Sequence, residues 1–214
     1  MIKLKRKKKA YLAVTFIALF LLWTILVKNF DVGAIGPNGS QVGFSNLNGL
    51  IHRLTGVNMS LYVITDRLGI IPLLFIIGFG VFGLTQWVKR KSIMKVDSDI
   101  LSLGAFYIAV MGVYLIFEKV VINYRPVLIE GFLEASYPSS TTMLVMCVIP
   151  TAIMEFNYRI KSILLKNVVV FALSIFGVFM VTGRLISGVH WFTDIVGGVL
   201  ISTGLVLLYD FIRK

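Results

Sequence analysis

Apolar residues are gathered into six long runs separated by short polar stretches. The runs cover about 10–27, 68–88, 99–118, 139–156, 167–183 and 191–211. A helix needs roughly 20 mostly apolar residues to cross the hydrocarbon core of a bilayer, and it satisfies its own backbone hydrogen bonds there. The pattern predicts an all-α, polytopic membrane protein with six transmembrane helices in a single bundle.

Composition supports a membrane protein and excludes an ordinary soluble domain. The mean hydropathy is +0.90, and only 14% of the 214 residues are charged. The first apolar run is too long for a signal peptide and no small-residue cleavage site follows it. We therefore expect an uncleaved first span and one domain over residues 1–214.

Basic residues give the chain a net charge of +11, yet they form short clusters between apolar runs. This distribution reports membrane topology, not nucleic-acid binding. With the N-terminus inside, six of the 21 basic residues fall outside: Lys28, Arg53, Arg67, Lys119, Arg125 and Arg184. The other fifteen fall inside: Lys3, Lys5, Arg6, Lys7, Lys8, Lys9, Lys89, Arg90, Lys91, Lys95, Arg159, Lys161, Lys166, Arg213 and Lys214. The bias predicts that both termini are cytoplasmic.

The first outer segment, about 28–60, begins with turn-forming residues and continues with an amphipathic pattern. That pattern predicts a helix lying on the outer surface, which could form a lid or a lateral gate. His52 belongs to this segment and is interpreted as an interfacial residue.

Three polar stretches are predicted to reach the outer face: "EKVVINYRP" (118–126), "YPSSTT" (137–142) and "GRLISGVHWFTDIVGG" (183–198). Arg125 and Arg184 carry planar donor forks that suit phosphate oxygens, and Lys119 could add a third cation. Any one of these residues could instead extend to the lipid headgroups. Together they predict an anion site.

The second stretch places Pro138 where a helix would start, followed by Ser139, Ser140 and Thr141. Free N–H groups and the helix dipole favour an anion at this end. The alternative is ordinary helix capping by the same hydroxyl groups.

His190 and Asp194 are four residues apart at the predicted start of the sixth helix, so their side chains would share one face. The carboxylate can hold a proton on one imidazole nitrogen and leave the other as a nucleophile. The single cysteine, Cys147, has no partner for a disulfide or a thiolate metal site. We expect no metal and no cofactor.

At these residues the chain resembles the type 2 phosphatidic acid phosphatase (PAP2) superfamily of membrane lipid phosphatases. The resemblance covers about 99–214. The family's first motif, a Lys and then Arg-Pro, is similar to Arg125-Pro126. The second, Pro-Ser-Gly-His, is similar to 138–141, and the third, Ser-Arg with a His and an Asp beyond, is similar to Gly183-Arg184 with His190 and Asp194.

The resemblance implies that His190 attacks phosphorus and forms a phosphohistidine, that Asp194 orients it, and that arginines stabilise the transition state without a metal. Two positions depart from the family. Glu118 stands where the family has its lysine, and the one-residue shift to Lys119 turns that side chain by about 100° on a helix. Thr141 replaces the histidine that would protonate the leaving group.

The loss of that acid favours one substrate class. A phosphate monoester expels an alkoxide and needs a proton donor, whereas a diphosphate expels a phosphate, whose relevant pKa is about 6 to 7 by analogy with a phosphoester. The leading hypothesis is therefore hydrolysis of a lipid diphosphate on the outer face, such as the undecaprenyl carrier. Glu118 is an alternative proton donor. The competing hypothesis is an impaired relative that binds, flips or transfers a phospholipid headgroup.

Overall fold

The computed structural model describes the backbone of residues 2–213 and the side chains of residues 6–213. Over this range the chain forms eight α-helices, with no β-strands. They are α1 (Ile2–Asn29), α2 (Ser45–Thr55), α3 (Met59–Leu68), α4 (Ile70–Arg90), α5 (Ser98–Lys119), α6 (Ser140–Arg159), α7 (Ile163–Ile186) and α8 (Phe192–Ile212).

Six helical stretches are long and apolar enough to cross a membrane, as the sequence predicted. The second stretch runs from Met59 to Arg90 through α3 and α4, so it begins nine residues before the predicted 68. The apolar pattern hid this start because Asp66 and Arg67 interrupt it. The all-α fold with six candidate spans is confirmed.

α6 and α8 form the centre of the bundle. About half of the most apolar 18-residue window of α6 is buried, against 6% for α7 and for the α3–α4 stretch. Between them lies a core that includes Tyr137, Met143, Cys147 and Ile201. Peripheral helices present large apolar side chains outward, as lipid-facing helices do.

One end of the bundle carries charged pairs and both ends of the chain. Arg6 Nε donates to the Phe211 carbonyl at 3.1 Å, and Lys9 pairs with Asp210 at 2.5 Å. At this end Arg90 Nη1 is 2.8 Å from Asp97 Oδ1, and this hydrogen bond lowers the pKa of Asp97.

The opposite end is built from α2 and two loops, 120–139 and 187–191. α2 lies inside the outer segment where a helix was predicted. Its buried Asn48 donates to Thr193 Oγ1 at 3.0 Å, and Trp23 of α1 donates to the Thr193 carbonyl at 3.1 Å. The start of α8 is therefore held from two sides.

A glycine allows one close approach that shapes this end. A Cβ on Gly197 of α8 would lie 2.6 Å from the ring of Tyr137. Tyr137 is 2% exposed, and its hydroxyl lies 2.7 Å from Thr24 Oγ1. Packing of this ring on α8 places the 137–142 stretch beside the loop that contains His190.

Candidate active site

His190 lies in the tight turn between α7 and α8, not on α8 as the four-residue spacing suggested. α8 begins at Phe192 with Trp191 as its N-cap residue. Asp194 is the third residue of the helix, and its Oδ2 accepts from the Trp191 backbone N–H at 2.9 Å. This capping box fixes the helix start after Trp191, so capping rather than a shared helical face brings the two side chains together.

Asp194 is fully buried beside the imidazole. Its Oδ2 lies 3.8 Å from His190 Nδ1, and its Oδ1 accepts from Asn123 Nδ2 at 3.3 Å. With one donor on each oxygen, the carboxylate is held facing the Nδ1 edge of the ring.

The other edge of the ring faces an arginine. Arg125 Nη1 lies 3.1 Å from His190 Nε2, and both side chains are buried. Because the guanidinium can only donate, Nε2 is the acceptor and Nδ1 carries the proton. Burial lowers the pKa of His190 to about 4, against the opposing effect of Asp194. The imidazole is therefore a neutral base at pH 7.

Arg125 is held by the loop that carries it. Its backbone N–H donates to the Glu134 carbonyl at 3.0 Å, and its Nε lies 2.9 Å from Glu134 Oε2. Isolated β-bridges, including one between Tyr124 and Ala135, fold the 120–139 loop back on itself. This fold directs Arg125 inward to the histidine.

Arg184, in the last turn of α7, is 2% exposed. Its Nη2 donates to Thr141 Oγ1 at 2.5 Å and to Asp66 Oδ1 at 3.0 Å. The position that departs from the second motif is thus in direct contact with the arginine of the third.

The two serines at the start of α6 have different surroundings. Ser139 is fully buried and caps the helix, with its hydroxyl accepting from the Thr142 N–H at 3.4 Å. Its backbone N–H donates to the Asp194 carbonyl at 3.0 Å. Ser140, one residue later, lines a cavity with His190 and Arg125.

That cavity has a volume of about 500 Å³. Polar groups line it beside the histidine and arginine, and aromatic and aliphatic side chains complete the wall. Glu118 is among the lining residues and Lys119 is not; Lys119 is exposed at the last residue of α5. Thr141 lines a neighbouring cavity instead.

Four residues at this end were not identified as site residues from the sequence. Asn123 lies within the first polar stretch and Glu134 eight residues after its end, and only their contacts distinguish them. Asp66 belongs to α3, far from the motifs along the chain. His52, interpreted as interfacial, has Nε2 3.2 Å from the Gly188 carbonyl and its ring centre 5.4 Å from that of Trp191, so it supports the turn.

Comparison with known protein families gives one match. A model of the PAP2 superfamily matches residues 100–212, which is more than half of the chain and contains all three polar stretches. No curated protein sequence matches the chain.

Among solved structures, the fold is similar to that of a transmembrane PAP2-type phosphatidylglycerolphosphate phosphatase from Bacillus subtilis. The TM-score is 0.65 at 17% identity, over 94% of each chain. At this identity the likeness concerns the fold. From the family match and the six-span bundle together, the chain belongs to the PAP2 superfamily of membrane proteins.

Proposed function

We propose that the protein hydrolyses the phosphate of a membrane lipid through nucleophilic attack by His190. The observation that carries the proposal is the arrangement of His190 between Arg125 Nη1, 3.1 Å from Nε2, and the Asp194 carboxylate on the Nδ1 side. A neutral histidine with its second nitrogen facing a carboxylate suits a nucleophile, and the adjacent guanidinium suits phosphate oxygens.

The chemistry has two balanced steps. The Nε2 lone pair forms a bond to phosphorus while the phosphorus–oxygen bond to the leaving group breaks, and the oxygen keeps the electron pair. Water then attacks phosphorus, the Nε2–phosphorus bond breaks with its electron pair returning to Nε2, one proton of the water passes to solvent, and inorganic phosphate is released. Asp194 offsets the positive charge of the phosphorylated imidazole, while Arg125 moves from Nε2 to the phosphate oxygens.

Apolar clefts continue from the phosphate cavity and favour a lipid substrate. The 500 Å³ cavity shares Tyr114, Ser140 and Met143 with an apolar cavity of about 250 Å³. This second cavity shares Ile76, Tyr107 and Met111 with a groove of about 750 Å³ between α4 and α5. A hydrocarbon chain attached to the phosphate can lie along this path, from the site towards Trp87.

The substrate class follows from Thr141. Its hydroxyl accepts a hydrogen bond from Arg184 and is too weak an acid to protonate an alkoxide near neutral pH. A diphosphate does not need that proton, so we propose a prenyl diphosphate such as undecaprenyl diphosphate. Glu118, which lines the cavity, is the alternative donor for a monoester.

We further propose that the site faces the outside of the cell and that both termini are cytoplasmic. The two ends of the chain lie together at one end of the bundle, and His190 and Arg125 lie at the other. The positive-inside bias of the loops assigns the end that carries the termini to the cytoplasm.

The deciding experiment measures phosphate release by purified protein from four lipids in parallel: undecaprenyl diphosphate, undecaprenyl phosphate, phosphatidic acid and phosphatidylglycerol phosphate. We expect turnover of the diphosphate to exceed that of its monophosphate by at least the roughly 10²- to 10⁴-fold that a general acid contributes. Thr141→His should raise monoester turnover selectively, and the apolar cavity beside Thr141 leaves room for the ring.

Glu118→Gln tests the alternative donor. If Glu118 protonates the leaving group, this change suppresses monoester hydrolysis and leaves diphosphate hydrolysis. Equal rates on both substrates, insensitive to either substitution, would contradict the diphosphate proposal.

A second candidate function is headgroup binding, flipping or transfer without hydrolysis. The observation in its favour is again Thr141, because the family's acid is missing. Binding of these lipids without phosphate release from any of them would favour this function.

A further inference from the structure

Arg184 is enclosed by one face of α3. The Cζ atom lies 5.0 Å from the centre of the Tyr62 ring, and Nη1 lies 3.5 Å from Thr65 Oγ1. Asp66 Oδ1 accepts from Nη2 at 3.0 Å. Counted from Tyr62, these residues stand at positions i, i+3 and i+4 of α3, so they reach the same side of the helix.

The two partners of Nη2 take both of its hydrogens. Asp66 accepts one and Thr141 accepts the other, while the buried Nε has no hydrogen-bond partner within the described part of the chain. The arginine is 2% exposed and the Asp66 side chain 55% exposed. The ion pair therefore joins a buried cation to a carboxylate whose side chain is more than half exposed.

Such a pair can open at small cost. A half-exposed carboxylate can leave the pair without unpacking a buried side chain of its own, whereas an arginine left alone in a buried site needs another anion. Carboxylate and phosphate oxygens use the same guanidinium hydrogens. Asp66 lies outside residues 100–212 that match the family.

We infer that Asp66 is an internal competitor of phosphate for Arg184. The inference rests on the proposed function in that Arg184 is taken as a phosphate-binding residue. An arriving phosphate displaces Asp66 or shares the guanidinium with it. When the product phosphate loosens, the carboxylate returns to Arg184 and favours release.

The test is the affinity of the full-length protein in detergent micelles for inorganic phosphate, measured by calorimetry. Asp66→Asn keeps an acceptor oxygen for Nη2 and removes the charge. We expect its Kd for phosphate to fall about twofold to fivefold, as one partly exposed charge pair would give. Asp66→Glu restores the charge and should bind phosphate as the parent does.

Glu130→Gln is the matched control, since it removes one exposed negative charge from the 120–139 loop. Its Kd should equal that of the parent. An Asp66→Asn variant with unchanged or weaker phosphate binding would overturn the inference, and so would a parent and variant that both fail to bind.

The experiments distinguish failure of the proposed hydrolysis from failure of the proposed competition between Asp66 and phosphate. If lipid hydrolysis is absent but Asp66→Asn still tightens phosphate binding, the proposed hydrolysis is wrong and the competition stands. If hydrolysis depends on His190 while phosphate binding ignores Asp66, the competition alone is wrong.

Discussion

At the scale of single residues, the carboxylates of Asp194 and Glu134 arrange the groups on either side of the His190 ring. Asp194 is fixed by the Trp191 N–H and the Asn123 amide and faces a neutral histidine. Glu134 pairs with Arg125 at the cavity wall. The first carboxylate faces the proposed nucleophile, and the second sets the direction of the arginine on the other side of the ring.

We expect His190→Ala to abolish phosphate release, because no other side chain in the arrangement supplies the nucleophile. Asp194→Asn should retain a remainder about 10²- to 10⁴-fold below the parent, since it disturbs ring orientation and charge but keeps the nucleophile. Single-turnover assays on the preferred lipid measure both. Parent-like activity of His190→Ala would contradict the mechanism.

The state of His190 can be measured without a substrate. Because burial lowers its pKa to about 4, the imidazole should stay neutral as the pH falls through 6.5 and become charged only near pH 4. Unfolded protein binds the proton already near the ordinary pKa of about 6.5, so folding stability should decrease as the pH drops from 6.5 towards 4.

The measurement is NMR of the protein labelled with ¹³C-histidine, which gives two imidazole signals, from His52 and His190. His52→Gln identifies the His190 signal. A His190 that titrates near 6.5 would show that the ring is far better solvated or better paired than the structure has it.

Sequence reasoning named Arg125, Arg184, His190 and Asp194 as candidate site residues, because ionisable residues beside apolar runs are conspicuous. It did not identify Asp66 or Glu134. Asp66 lies in α3, far from the motifs along the chain, and Glu134 stands between apolar residues of a loop. Only tertiary packing assigns an arginine partner to each.

At the scale of elements, the order of spans was predictable because apolar length alone determines it. The ends of the elements were less predictable, since capping decides them. α8 begins after His190, at Phe192, because the Asp194 side chain caps the helix at that point. The α3 start was missed because a charged pair interrupts an apolar run.

At this scale we predict that the groove between α4 and α5 determines which lipid chain lengths are accepted. A Cβ on Gly104 would meet nothing within 4 Å, and the residue lines the groove. Gly104 is 14 residues from Glu118, about 21 Å along the helix. Gly104→Leu should therefore block a long chain and lower kcat/KM for undecaprenyl diphosphate about tenfold, with little effect on geranyl diphosphate.

Gly112→Leu is the matched control, because a Cβ there also meets nothing within 4 Å and Gly112 is not among the lining residues of these clefts. It should behave as the parent does. Equal losses on the long and the short substrate would show that Gly104→Leu acts through folding and not through the chain path.

At the scale of the whole molecule, α6 and α8 carry the packing, and the ends of the bundle differ in chemistry. The terminal parts of α1 and α8 lie at the end opposite the proposed site, and only the distribution of basic residues predicts the orientation across the membrane. This orientation is testable with single introduced cysteines.

Phe132 is 71% exposed in the loop near the site, and Met94 is 87% exposed between α4 and α5 at the other end. Cysteine at 132 should react with a membrane-impermeant thiol reagent from outside intact cells, and cysteine at 94 only after the membrane is opened. The native Cys147 is fully buried and serves as the unreactive background. Reversed labelling would move the proposed site to the cytoplasmic face.

If the protein hydrolyses a lipid as proposed, the groove also determines how that lipid reaches the site. Its lining side chains are open to the lipid side, with Ile108 75% exposed and Leu84 52% exposed. A lipid that enters the groove laterally from the bilayer does not cross bulk water, so it reaches the protein by diffusion in the plane of the membrane. Turnover should then follow the mole fraction of the lipid in the bilayer, and diluting the vesicles in buffer at fixed composition should leave the rate per enzyme unchanged.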